Sequence, residues 1–475
     1  VTQRATGFGV LAFGGLGMAA LLGNGLKSVI TSTLFISEGE FASFLTISVE
    51  RTNFIVELIV GSMVIALALA PLLITRRRAP YLAALASVLA AAAFAGLGML
   101  FNTQPSLPVR ELGVALSFVA GGLSLGLLAP LAQFHISSLE DDKAQGMLTT
   151  LWSFATPFAF LVTPQLVKFT AHDIGIGNFF LIFALLPLVY LAVALPSLRR
   201  IAGGDSNAQA EQLALDRRSI LLFVGSVLAF QIATALGTLV GWSSVATVVA
   251  LVVFAGALLV TASHMRRVKP LTGIPNTPLL LLLGLFLLQI PTTGFFDTVY
   301  LVRHLCSASL IADRASIGAL GQAVAVLLAG ALVARNAALA VPLIAASLPL
   351  VFLGIVGYAF YPTVPEDWLF IGARLSTSLG MGLVTATVVV TATRQADRYA
   401  LLALLPAGAI MIGTEAGLEL LEIAFAVAKA FGANDFGAYR VVFLLQIGAV
   451  AVAALPLLAG LRGLAAGFSA RQQTA

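Results

Sequence analysis

Charge is what this chain has least of. Only 10% of its 475 residues are Asp, Glu, Lys or Arg, where a soluble domain carries roughly 25%. That shortage excludes an ordinary soluble enzyme and a disordered chain. The net charge of +5 is spread over short loops rather than gathered in a patch, so a nucleic-acid partner is excluded too. The single cysteine, Cys306, rules out a disulfide framework and a cysteine metal site within one chain. His135, His172, His264 and His304 are scattered without metal-ligand spacing. No phosphate-binding glycine loop and no Ser/His/Asp arrangement is present. The reading is therefore neither an enzyme nor an ATP-driven pump, with no metal and no cofactor.

What is abundant is apolar surface. Apolar residues make up 59% of the chain and the mean hydropathy is +1.02. Only a lipid bilayer solvates so much of it, and one spanning helix takes about 20 residues. Fourteen apolar runs can be read: 6–34, 53–75, 80–101, 111–136, 147–171, 178–197, 219–237, 240–263, 278–301, 316–334, 337–361, 368–393, 400–427 and 439–461. No cleavable signal precedes the first, so it is expected to be a retained helix. With both termini placed in the cytoplasm, most of the 26 basic residues fall in loops of that side, among them Arg76, Arg77, Arg78, Arg199, Arg200, Arg266 and Arg267. This bias supports an even number of spans with both ends inside. The expected location is a bacterial cytoplasmic (inner) membrane.

The two halves look related. Thr75-Arg76-Arg77-Arg78 and Ala334-Arg335-Asn336 are tight basic turns between spans, and Gly121-Gly122-Leu123-Ser124-Leu125-Gly126 and Gly380-Met381-Gly382 follow at corresponding places. Such repeats are common in transporters. The division expected is an N-terminal six-helix bundle over 1–200, a cytoplasmic linker over 201–218, two inserted helices over 219–270 and a C-terminal six-helix bundle over 271–475.

Gly241-Trp242-Ser243-Ser244, an apolar span, and His264-Met265-Arg266-Arg267-Val268-Lys269-Pro270-Leu271 carry a resemblance, as does Leu151-Trp152-Ser153 running on to Pro157 and Pro164. In these features and in layout the chain resembles the major facilitator superfamily, specifically its fourteen-helix drug:proton antiporter branch, over nearly its whole length. The resemblance implies an all-α polytopic fold of two six-helix bundles plus two central helices. It also implies proton-coupled export of small amphipathic or hydrophobic molecules by alternating access. The family's loop after the second span usually reads Gly-x-Leu-Ala-Asp-Arg-x-Gly-Arg-Arg. Here Pro71-Leu72-Leu73-Ile74-Thr75-Arg76-Arg77-Arg78 keeps the basic part without the aspartate. Ser117 stands where the fourth span usually has an arginine, and Gly23-Asn24-Gly25-Leu26-Lys27 replaces the first span's acidic residue. A proton site, if present, has therefore moved from its usual place.

Ionisable groups inside spans narrow the choice, because each costs about 2.5–3.5 kcal/mol on insertion scales and is tolerated when it faces a cavity or another charge. Glu415, Glu419 and Glu422 share one helical face by their spacing. Glu415 lies deepest, where a carboxyl can take up and release a proton during a cycle. Glu415 and Glu419 are the first proton-coupling candidates, then Asp297, which follows Pro291-Thr292-Thr293-Gly294, then Glu57. Arg374 is the expected counter-charge, as a structural link or as a switchable one. Lys27, Arg51 and Asn24 are candidates for a substrate cavity; Lys27 and Glu57 form either a site open to the outer cavity or a structural ion pair. Arg76, Arg77 and Arg78 with Asp141 and Asp142 are candidates for a cytoplasmic gate. Trp152, Phe154, Phe158 and Phe160 either line an apolar cavity or pack between helices. Expected partners are a small-molecule substrate, protons and the lipid bilayer. A periplasmic adaptor or larger complex is a further possibility. Two other readings stay open: a carrier of a specific charged or siderophore-like metabolite, and a non-transporting assembly factor that reuses the fold.

Overall fold

The computed structural model describes residues 10–47, 49–139, 141–203, 216–268, 274–292, 308–361, 367–395 and 401–474. Long apolar runs have one way to satisfy their backbone in lipid, the helix, and they keep it here even with proline inside several of them, such as Pro71, Pro130, Pro157 and Pro164. Helix α1 (Val10–Ile36) bends by 70° at Ser37 into a short α2 (Glu38–Leu45). Helix α3 (Val49–Leu73) ends at the arginine turn, and α4 (Ala79–Thr103) starts behind it with Pro80 in its first turn, where a missing N–H costs nothing. Helices α5 (Leu107–Ser137) and α6 (Asp142–Asp173) follow. The next apolar run is divided at Ala184 into α7 (Ile176–Phe183) and α8 (Leu185–Gly203). Then come α9 (Arg217–Val240), α10 (Val245–Val268) and α11 (Asn276–Gln289). The chain closes with α12 (Ala308–Arg335), α13 (Ala340–Phe360), α14 (Asp367–Thr393), α15 (Leu401–Ala430) and α16 (Asp435–Thr474).

The described parts of the apolar runs fall on these helices. The run at 278–301 is helical from Asn276 to Gln289, and its part beyond 292 lies outside the described residues. Among the described residues ten helices are long and apolar enough to span a membrane, or eleven with the bent α1–α2 pair. The protein is thus an α-helical polytopic membrane protein. Its outward surface agrees: Tyr81 and Leu85 of α4 and Val245, Val252 and Leu259 of α10 are exposed, as side chains facing lipid should be.

Packing falls into two groups. Helices α1 and α3 to α8 contact one another, and so do α11 to α16. Helix α10 lies on α9, and α9 lies on α3. Without a hydrophobic drive between helices in lipid, close approach depends on small residues. Gly122 and Gly126 of α5 show this against α3. A Cβ on Gly126 would come within 2.5 Å of the Met63 carbonyl oxygen, and one on Gly122 would strike that of Ile59. The first group is capped by aromatic rings, with Phe41 of α2 edge-on to Phe101 of α4 at 5.0 Å and 5.6 Å from Phe118 of α5.

Candidate functional site

The sequence places Glu415, Glu419 and Glu422 on one face of α15, and the fold turns that face inward. Glu415 is 5% exposed and Glu419 1%; Glu422 is half-buried. Glu415 feels the charges of Glu57 on α3 and of Glu422. Glu419 feels those of Glu415, Glu57 and Glu422. Four carboxylates from two helices therefore form one electrostatic group. Their polar neighbour is an amide: Gln231 of α9 donates its Nε2–H to Glu415 Oε1 at 3.5 Å. Glu419 Oε2 is buried and accepts no hydrogen bond among the described residues. One residue before Glu415, Thr414 faces α11, donating to Gln289 Oε1 at 3.4 Å.

The other candidates separate from this cluster. Arg374 projects from α14 onto α12, where its side chain covers Gly318. Asp297 lies outside the described residues, and so does the side chain of Arg51 at the start of α3. Lys27 does not meet Glu57. It is 2% exposed, with no salt bridge or side-chain hydrogen bond among the described residues. Asn24, one turn earlier on α1, donates Nδ2 to the Trp152 carbonyl at 2.7 Å and to Thr156 Oγ1 at 3.2 Å. Its Oδ1 is buried without a partner among the described residues. Trp152 is fully buried and donates Nε1 to the Ala129 carbonyl at 3.1 Å, so it packs α6 onto α5. Phe154 and Phe158 stack on one another at 5.2 Å, and Phe158 is exposed.

The two groups of helices are fastened together at the end that carries the turns after α3, α5, α12 and α14. Gln133 of α5 donates to Thr393 Oγ1 of α14 at 2.5 Å. Gly146 and Thr150 of α6 meet Ala334 and Gly330 of α12 so closely that a Cβ on Gly146 or Gly330 would collide with the facing side chain. Arg394, just beyond α14, donates Nη2 to the Ala334 carbonyl at 2.5 Å. Burial draws its guanidinium below the usual arginine value, and the charge of Asp142 works against that shift. Asp141 accepts from the Lys143 and Ala144 amides at 2.9 and 3.3 Å, closing the first turn of α6. Arg76 is half-buried and Arg77 and Arg78 are exposed. No ion pair joins these three to Asp141 or Asp142 among the described residues; Asp142 acts on Arg394 instead.

Sequence reading overlooked Gln231, Gln133, Thr393 and Arg394. Gln231 and Gln133 did carry a signal, since an amide inside an apolar run needs a partner on another helix. Which helix provides it depends on packing.

No family model and no curated protein matches this sequence. Solved structures do. The proton:xylose symporter XylE bound to 6-bromo-6-deoxy-D-glucose superposes with a TM-score of 0.60 at 14% identity, covering 92% of this chain and 94% of that one. A bacterial homologue of the iron transporter ferroportin in an outward-facing state gives 0.61 at 14%, covering 94% and 99%. The human organic anion transporter MFSD10 gives 0.56 at 17%, covering 93% and 98%. At this identity the likeness is one of fold: the chain has the fold of major facilitator transporters.

Proposed function

We propose that this protein is a secondary transporter of the major facilitator type, working by alternating access between two six-helix bundles with α9 and α10 inserted between them. The observation that carries the reading is the carboxylate group of Glu57, Glu415, Glu419 and Glu422, with Glu415 and Glu419 buried and the other two half-buried, on a major facilitator fold. Buried acidic groups cost too much to be kept without a partner or a task. Protons are the ligand that four neighbouring carboxylates can share, and their common charge makes each protonation depend on the others. Asp297 belongs with them as a further candidate. Arg374, on α14, is the candidate counter-charge when the arrangement of the bundles changes. The fastened end is the cytoplasmic gate, with Arg76, Arg77 and Arg78 at its surface and Asp142 and Arg394 within it. We further infer fourteen spans, both termini in the cytoplasm, and export of small amphipathic molecules in exchange for protons across a bacterial inner membrane.

The test uses the purified protein in proteoliposomes with an imposed pH gradient and a panel of fluorescent amphipathic dyes. Wild type moves at least one dye with the gradient. Glu415→Gln keeps shape and one hydrogen-bonding face but cannot titrate, so it loses gradient-driven movement while folding normally. Full gradient-driven activity in both Glu415→Gln and Glu419→Gln would sink the proton role of this cluster.

A second reading has its own observation. Lys27 is buried without an acidic partner among the described residues, beside the unused acceptor of Asn24. A negatively charged metabolite would complete that pair, its anionic group on Lys27 and a donor group on Asn24 Oδ1. Competition of dye movement by small organic anions, lost in Lys27→Met, would favour this substrate class.

A further inference from the structure

Helices α9 and α10 form a hairpin with its own internal ties. Ser226 and Thr261 hydroxyls hydrogen-bond at 2.9 Å, Thr261 Oγ1 donates to the Leu222 carbonyl at 3.0 Å, and Phe230 meets Phe254 with ring centres 5.1 Å apart. At one end Asp216 stands 3.4 Å from His264. Only α9 reaches the rest of the protein in any depth, and it does so at a particular place. Val227 forms one buried cluster with Val64 and Ala68 of α3, and Phe223 and Val224 of α9 and Ile412 of α15 pack against that cluster. The inserted helix therefore fills the seam where the first group of helices meets the second.

Gln231 sits one helical turn beyond Val227, on the same face. It is 8% exposed. Its Nε2 reaches Glu415 Oε1 at 3.5 Å, and its Oε1 lies on Gly61 of α3, where a Cβ would collide with it. One amide thus touches α3 and α15 at once, and the absence of a side chain at 61 is what makes the room. The charged groups acting on Glu415 are Glu57 of α3 and Glu422 of α15 itself. Glu419 is one turn further along. Helices α5, α11, α14 and α16 add none among the described residues, and α9 brings an uncharged group. A carboxylate can only accept, whereas a protonated carboxyl also donates; a glutamine amide offers both a donor and an acceptor. Gln231 is therefore able to serve Glu415 in either state by presenting its NH2 to the anion or its carbonyl to the acid.

We propose that Gln231 is a positioning residue for the proton site, and that through it the α9–α10 hairpin follows the protonation state of Glu415. When Glu415 takes a proton, the N–H to carboxylate bond gives way to an O–H to carbonyl bond, and the amide turns over on Gly61. No covalent bond changes other than the O–H bond to the incoming proton. Helix α9 is seated by that amide and by the small apolar cluster around Val227, so its contact with the seam changes with the proton. The proposal rests on Glu415 being a titrating group of the transport cycle.

The experiment measures the pH profile of dye transport in proteoliposomes. It also measures the distance between spin labels on the outer face of α10, at Val252, and near the exposed end of α15, at Val427, as pH is varied. Wild type is expected to show a label distance that changes over the same pH range as transport. Gln231→Leu removes the hydrogen bond to Glu415, and with it the amide carbonyl, at similar volume, and Gly61→Ala displaces the amide without touching Glu415. Both are expected to displace the pH midpoint of transport by about half a unit to one unit, to leave the apparent KM for dye within twofold, and to abolish the distance change. Gln231→Met provides the same test with an unbranched chain if Gly61→Ala does not fold. A wild-type midpoint and a wild-type distance change in Gln231→Leu and Gln231→Met would overturn the proposal. If Glu415→Gln itself keeps the wild-type pH profile, the proton role of Glu415 has failed, a different result from loss of the Gln231 effect alone.

Discussion

Lys27 shows how much a single side chain is decided by its neighbours. Antiparallel spans 1 and 2 place Lys27 and Glu57 at similar depth, and depth is all that a linear sequence gives. Whether they face each other depends on the rotation of α1. Gly23 of α1 lies against Ala132 and Tyr190, and Asn24 hydrogen-bonds to Trp152 and Thr156 on α6. Those contacts fix the rotation of α1, in which Lys27 is buried without meeting Glu57, and Glu57 joins Glu415 and Glu419. The acidic stripe of α15 was legible because 415, 419 and 422 lie on one helix with its regular period. Its tie to Glu57 and Gln231 was not, because no period connects residues on different helices. An unpaired buried ammonium costs insertion energy, so the substitution Lys27→Met should leave the purified protein at least as stable as wild type. Up to about 3 kcal/mol of insertion cost is removed. A melting temperature well below wild type would mean instead that Lys27 holds a structural ion pair. Loss of transport in this stable variant would mark Lys27 as a group that meets substrate.

At the scale of helices the sequence was more informative. A run of apolar residues as long as a bilayer is thick has to be helical, and the turn signals stand where the helices stop. Thr75 accepts from the Arg78 amide in the turn after α3, and Gln104 takes a left-handed conformation, φ 46°, to end α4. The break inside the run at 178–197 follows from Pro187, whose missing N–H leaves the Phe183 carbonyl, four residues earlier, without its helical donor just where α7 ends. The place of α9 could not be read in this way. Its apolar surface fits lipid as well as it fits protein, and its buried polar residues, Ser226, Gln231 and Thr234 among them, do not say which helix they face. The glycines that let helices approach make a sharper prediction. Gly126 meets the Met63 carbonyl of α3 where a β-carbon has no space, and carbonyl oxygens of a helix cannot move aside. Gly126→Val should therefore destabilise the protein by about 1–3 kcal/mol through overpacking, read as a lower midpoint in thermal unfolding in detergent. Gly14, which has open space at its Cβ position, gives the control: Gly14→Ala should leave the midpoint within about 0.5 kcal/mol of wild type.

For the whole molecule, what matters is which ends of the two helix groups are joined. The bonds between Gln133 and Thr393, and the close seats of Gly146 on Ala334 and of Gly330 on Thr150, are all at the end where α5, α12 and α14 finish and α6 begins. The carboxylate group lies further along α15, towards the opposite end. In a rocking mechanism the fastened end must part once per cycle, and among the described residues the polar link between α5 and α14 is one side-chain pair, Gln133 and Thr393. A cross-link there should hold the protein in this one conformation. With Cys306 replaced by Ser, the double variant Gly146→Cys and Ala334→Cys puts two thiols at a contact where a Cβ on Gly146 would already touch that of Ala334. Oxidation should then stop gradient-driven dye movement, and reduction should restore it, because the block is a bond and not a lost residue. The oxidised protein should still bind dye from the side opposite the link, measured as fluorescence enhancement at equilibrium. Undiminished transport by the oxidised, cross-linked protein would mean that this end never opens, and the alternating-access reading of the fold would have to be given up.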